Sequence, residues 1–178
     1  MNPTSNALYI ADHYNHRIMS YSKGVNNGTL VFGGLGSGIA NTQLSFPIGL
    51  LFDAYSNNLI IANAGGCNIV RYTFGATNWQ RIVGAINGTC GSTSTLLNSP
   101  HDMAFDPMGN LYVADRNNHR IQFFNADQLN GTTIAGITSS VDNNATTLNA
   151  PSSVKLDGQL NLYVADRHNH RIQKFLRY

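Results

Sequence analysis

An all-β protein built from repeated, four-stranded antiparallel sheets is what this sequence predicts, on three observations. One segment is spelled four times: LYIADHYNHRIM from Leu8, LIIANAGGCNIV from Leu59, LYVADRNNHRIQ from Leu111 and LYVADRHNHRIQ from Leu162. Aligned on Asp12, Asn63, Asp115 and Asp166, the copies recur every ~51 residues, at the long end of known repeat periods and in the range of a propeller unit. Asn, Gly, Ser and Thr fill the gaps between short apolar runs, which is the turn chemistry of a β protein. The charged fraction is 11%, and the acids are all Asp; long helices with charged outer faces draw on a fraction nearer ~25%.

The third unit shows the elements most clearly. After Leu97 and Pro100 comes a strand a, His101 to Asp106, then the turn Pro107-Met108-Gly109-Asn110. Pro presets φ in such a turn and Gly or Asn accepts positive φ, so strand b, the LYVAD run, pairs back antiparallel. A turn at Asn117-Asn118 leads to strand c, RIQFF, and a polar link leads to strand d, Thr132 to Gly136. The second unit parses as Ile48 to Asp53, Leu59 to Asn63, Asn68 to Phe74 and Arg81 to Gly84. The fourth has a at Ser153 to Asp157, b at Leu162 to Asp166 and c at Arg171 to Phe175. The first has b at Leu8 to Asp12, c at Arg17 to Tyr21 and d at Leu30 to Gly33. The units so delimited are 1–34 (b, c, d), 47–84, 100–136 and 151–178 (a, b, c), within one domain.

Sheets stacked radially bury both faces, which explains runs such as Leu-Ile-Ile-Ala that do not alternate. A β-propeller fits better than a sandwich, whose strands would not repeat in sequence. LYVADRxNHRIQ, preceded by a Pro and an apolar strand ending in Asp, resembles the NHL repeat, with Asn-His-Arg in place of its Asn-His-Leu signature. The resemblance covers nearly the whole chain and is weakest in the second unit. It implies a six-bladed parent, of which this sequence spells an incomplete arc of four-stranded antiparallel blades. Stable propellers close with about 4 to 8 blades, and an open arc exposes apolar flanks. The sequence therefore leads one to expect a piece of a longer protein, or an arc completed by further blades from a second copy.

A net charge of +2 does not by itself point to nucleic acid or an anionic membrane, which call for clustered Lys and Arg. No apolar run approaches the ~18 residues of a membrane span. The segment Met1 to Asn6 lacks the basic and apolar regions of a signal peptide, so a secreted parent would carry its leader elsewhere.

In an up-and-down blade the b-to-c turn and the d-to-a connection emerge on one rim. The Asp-x-x-Asn-His-Arg segments line that rim, and two charges recur there five residues apart: Asp12 with Arg17, Asp115 with Arg120, and Asp166 with Arg171. In the second unit Asn63 and Asn68 replace both, as expected of ion-pair partners that tie the turn or link neighbouring blades. The competing reading sets His16, His119 and His170 beside Arg17, Arg120 and Arg171, with Arg116 and Arg167, as a rim that binds a ligand or phosphates. A metal ring is disfavoured, because equivalent positions on separate blades cannot share one ion through bonds of ~2 Å.

His101 and Asp102 stand apart from the repeat. Strand a is innermost in a propeller, so its start opens on the channel mouth, where such folds bind ligands. The equivalent pairs, Ile48-Gly49 and Ser152-Ser153, offer no further ligands. Some NHL-like lyases hold zinc with several His from inner strands; only His101 could play that part here, so neither a metal nor a cofactor is called.

Cys67 takes the position of His119, and Cys90 follows strand d of the same unit. A disulfide requires their Cα atoms to come within about 5.5 Å and would stabilise by about 3 kcal/mol; two unpaired thiols are the alternative. Asn27, Asn87, Asn130 and Asn144 each open an Asn-x-Thr sequon. With a disulfide they point to an extracellular glycoprotein, with a cytoplasmic location as the alternative.

The absence of a nucleophile, base and orienter arrangement favours a non-catalytic scaffold that binds a protein, peptide or glycan through rim loops. An RNA-binding regulator using the rim Arg, and a lyase or hydrolase of the six-bladed group, are the two alternatives.

Overall fold

The computed structural model describes residues 7–53 and 56–177. Residues 1–6, which open the first unit and were read for a leader, lie outside the described residues, as do 54–55 in the second a-to-b turn and 178 at the end of the fourth unit.

Four separate antiparallel sheets follow one another along the chain. The first holds β1 (Leu8–Asp12), β2 (Arg17–Tyr21) and β3 (Thr29–Gly33). The second holds β4 (Pro47–Asp53), β5 (Asn58–Asn63), β6 (Asn68–Thr73) and β7 (Gln80–Gly84). The third holds β8 (Pro100–Phe105), β9 (Leu111–Asp115), β10 (Arg120–Phe124) and β11 (Gly131–Gly136), and the fourth β12 (Pro151–Leu156), β13 (Leu162–Asp166) and β14 (Arg171–Phe175). Within each sheet the strands lie in sequence order, so every connection is a local meander. The first strands sit side by side at the centre, with β8 packed beside both β4 and β12. Among the described residues no pairing joins the fourth sheet to the first, and the blades form an open arc.

Packing between blades explains the unbroken apolar runs. In β5, Leu59 and Ile61 face the first blade and join Ile18, Phe32 and Tyr72. Ile60 and Ala62, on its other face, join Met103, Val113 and Phe124 of the third. The period of two is intact, but both faces are interior. Ala114, Ile121, Val154 and Val164 repeat the arrangement between the third and fourth blades. At the flanks the same positions lack cover: Ile121 is fully buried, whereas its counterpart Ile172 is 68% exposed. Leu8, Ile10 and Leu30 are exposed on the opposite flank.

In the first three blades the last strand ends in a glycine that the fold requires. Gly33, Gly84 and Gly136 have φ of +83°, +85° and +80°. A Cβ at Gly136 would lie 2.3 Å from the His119 carbonyl oxygen, and one at Gly84 would lie 2.5 Å from that of Cys67. The a-to-b turns are closed by their acids: Asp106 accepts from the Met108 and Asn110 amides, and Asp157 from those of Gln159 and Asn161, all at 2.9 Å.

Candidate functional site

The b-to-c connection is one turn of 3₁₀ helix in every blade, closed by a residue in the left-handed conformation: His16, Cys67, His119 and His170, with φ between 51° and 57°. The turn places the repeated side chains in fixed roles. Asp115 accepts from Arg120 Nε at 2.8 Å, from Asn118 Nδ2 at 2.7 Å and from the Asn98 amide at 2.7 Å. Arg120 then donates to the carbonyls of Ser92, Thr93 and Leu96, which belong to the linker arriving from the second blade. Arg171, held by Asp166 at 2.8 Å, takes Asn144 and Thr147 of the next linker in the same way. The Asp–Asn–Arg group therefore closes its own turn and fastens the incoming linker.

Exposure differs along the series. Arg120 and Asp115 are 3% and 0% exposed, against 38% and 28% for Arg17 and Asp12. Burial pushes the Asp115 carboxyl above the ordinary carboxylate range, against the donors that hold it. Hydrogen bonds from Arg17 and then Asn15 hold the more open Asp12 below that range.

The second blade builds the joint without charge. Asn63 accepts the Ser45 amide at 2.7 Å and donates to Asn68, which donates to the Ala85 carbonyl. Trp79 fastens the incoming linker instead, through its indole to the Gln43 carbonyl at 2.7 Å and its amide to that of Asn41.

The rim histidines join blade to blade. His16 Nδ1 accepts the Phe46 amide and His119 Nδ1 the Ala150 amide, each at 3.1 Å. Burial lowers the His119 pKa, with Arg116 and His168 adding to it. Cys67 occupies this slot in the second blade and is bonded to Cys90, with Cα atoms 5.2 Å apart. His170 repeats the turn position on the exposed flank. Asp102 points to the fourth blade, where Ser153 Oγ, the Val154 amide and Lys155 Nζ donate to it.

His101, Arg116 and Arg167 converge on the central mouth. A cavity of about 530 Å³ opens there, lined by His13, Tyr14, Phe46, His101, Arg116 and Arg167, with the disulfide at its edge. His13, Arg116 and Arg167 occupy one repeat position, the residue after the Asp, and Ala64 is its counterpart in the second blade. His13 donates from Nδ1 to the Pro47 carbonyl at 3.2 Å. Burial lowers the His101 pKa to about 4, helped by Arg116, Arg167 and His13 and opposed by Asp102. Tyr14 and Phe46 meet edge to face, with centroids 6.2 Å apart, and the His13 ring contacts both.

Three of the residues singled out in the sequence, His101, Arg116 and Arg167, thus meet at one cavity, while Arg120, Arg171, Asp102, His16 and His119 are engaged in holding blades together. His13, Tyr14 and Phe46 were not singled out. The signal for His13 lay in the repeat itself, because the column after the Asp reads His, Ala, Arg, Arg. Among the described residues no group of three or more His, Cys, Asp or Glu converges as metal ligands. No helix among them is long and apolar enough to cross a membrane.

The NHL repeat model matches residues 97–124 and 148–175. No curated protein matches the chain in sequence. Among solved structures, a protein of unknown function from Bacteroides thetaiotaomicron superposes with a TM-score of 0.76 at 18% identity, over 99% of this chain and 46% of its own. An auxiliary nutrient binding protein from the same organism follows at 0.74 and 19%, over 98% and 46%. A gluconolactonase from Xanthomonas campestris matches at 0.72 and 16%, over 99% and 56%. The chain spans about half the length of these structures, and the likeness is one of fold. Residues 97–124 and 148–175 match the NHL repeat, and the chain as a whole is an arc of a β-propeller.

Proposed function

We propose that this arc is part of a recognition scaffold that binds its ligand at the channel mouth. The observation that carries the reading is the convergence of His13, Tyr14, Phe46, His101, Arg116 and Arg167 on one cavity. Elsewhere on that rim His16, His119, Arg120 and Arg171 are engaged in joints. A nutrient binding protein among the structural neighbours supports binding, and a gluconolactonase among them keeps hydrolysis in view. Arg120 and Arg171 donate to linker carbonyls, and their engagement counts against the RNA reading.

The parent is proposed to be extracellular, on the support of the disulfide and of four exposed sequon residues, Asn27, Asn87, Asn130 and Asn144. Further blades are proposed to cover the apolar flanks at Leu8, Ile10 and Ile172.

The test is a panel of immobilised glycans and peptides probed with the parent protein and two variants. Asn117→Trp, on the exposed turn at the mouth, is expected to abolish binding, and Met108→Trp, exposed on the opposite rim, to retain it. Binding that survives Asn117→Trp but not Met108→Trp overturns the reading.

A further inference from the structure

The mouth is divided by chemistry. On the third and fourth blades it presents Arg116 and Arg167, and none of its lining residues is acidic. The ion pairs of the described residues engage Asp12, Asp102, Asp115 and Asp166, and none includes either arginine. Arg116 Nη1 donates to its neighbour Asn117, while its Nε is enclosed without a partner. An arginine fork is suited to a planar carboxylate.

On the first and second blades the same mouth presents rings. Tyr14 is 81% exposed and Phe46 36% exposed, although aromatic side chains gain most when covered. Their edge-to-face contact and the His13 ring beside them, with centroids 4.7 Å from Tyr14 and 5.3 Å from Phe46, brace an open apolar wall. A cavity of about 530 Å³ is of small-molecule size.

We propose that the mouth takes a ring-shaped ligand bearing a carboxylate, with the carboxylate facing Arg116 and Arg167 and the ring against Tyr14 and Phe46. The inference rests on reading the mouth as the recognition surface. Sugar acids and aromatic acids share this chemistry.

Isothermal titration of the protein at fixed ionic strength, with sodium glucuronate and sodium benzoate against glucose and phenol, tests it. At least one acid is expected to bind about tenfold or more tightly than its neutral counterpart, with Arg116→Gln and Arg167→Gln each weakening it by about tenfold. Tyr14→Ala is expected to weaken it further. Whichever acid binds names the source of the ring. Arg167 is exposed, so its variant keeps the test decisive if Arg116→Gln fails to fold. Equal binding of acid and neutral ring, still blocked by Asn117→Trp, overturns the carboxylate and leaves the mouth as the binding surface. Acid binding indifferent to Asn117→Trp overturns both. Failure of both acids to bind at millimolar concentration overturns the proposal.

Discussion

Asp115 and Arg120 face each other across the β9–β10 register with Nε 2.8 Å from the carboxylate, and both side chains are closed off from solvent. Each is also committed elsewhere, Asp115 to the Asn98 amide and Arg120 to three linker carbonyls. Arg120→Ala leaves a buried carboxylate unpaired and is expected to cost about 3–5 kcal/mol. The more open equivalent, Arg17→Ala, is expected to cost far less. Asp115→Asn with Arg120→Asn, which copies the second blade, is expected to be less destabilised than Arg120→Ala alone. Urea unfolding of the four proteins measures the differences.

His101 should make the fold acid-sensitive. Its native pKa of about 4 lies below the ordinary 6.5, mainly through burial and then through Arg116, Arg167 and His13, with Asp102 opposing. Between those values the unfolded chain binds more protons than the native one, so stability falls as pH drops from about 6.5 towards 4. His101→Gln removes this term and is expected to flatten the decline. An equally steep loss in the variant, followed by thermal melts across that window, would contradict the assignment.

Gly136→Ala combines a φ of +80° with a Cβ 2.3 Å from a backbone oxygen. Destabilisation by about 2 kcal/mol or more is expected. Gly24→Ala, at a φ of +78° but with nothing within 4 Å, bears only the conformational cost of about 1–2 kcal/mol. Melting temperatures of the two variants separate strain from collision.

The Cys67–Cys90 bridge closes a separation of 23 residues. Cys67→Ser with Cys90→Ser is expected to lose about 3 kcal/mol. In the parent protein, restoring the repeat residue with Cys67→His is expected to recover part of that, through a bond to the Ser99 amide of the kind His119 makes to Ala150. Equal stability of the His and Ser variants in denaturant would count against that bond.

The four sequons should not be equivalent. All four asparagines are exposed, but the Asn144 amide is engaged: it donates to Asp142, and its Oδ1 accepts from Thr146 and Thr147. Secreted from a eukaryotic host, the protein is expected to carry glycan at the first three and little at Asn144. Glycopeptide mass spectrometry reads the occupancy directly.

Much of the fold was legible because each repeat supplies its own turns. Asp-Pro-Met-Gly-Asn closes an a-to-b hairpin by local chemistry, and the apolar runs mark strands whatever surrounds them. The paired loss of charge at Asn63 and Asn68 likewise made Asp115 and Arg120 readable as partners. The carbonyls that Arg120 grips lie 24 to 28 residues away, and no local pattern marks them. Nor does composition show that His119 closes its turn in the left-handed region and accepts from the next blade.

The strands, their antiparallel order and the repeat follow from hydrophobic period and turn residues a few positions apart. Tertiary structure decided which rim residues remain for a ligand. His101, Arg116 and Arg167 come from two blades, and only packing the first strands side by side brings them with His13 and Tyr14 to one mouth. The same packing turns Asp102 towards Lys155 and spends Arg120 on a linker. A repeat states what each blade contains, but access and proximity between blades are properties of the arc.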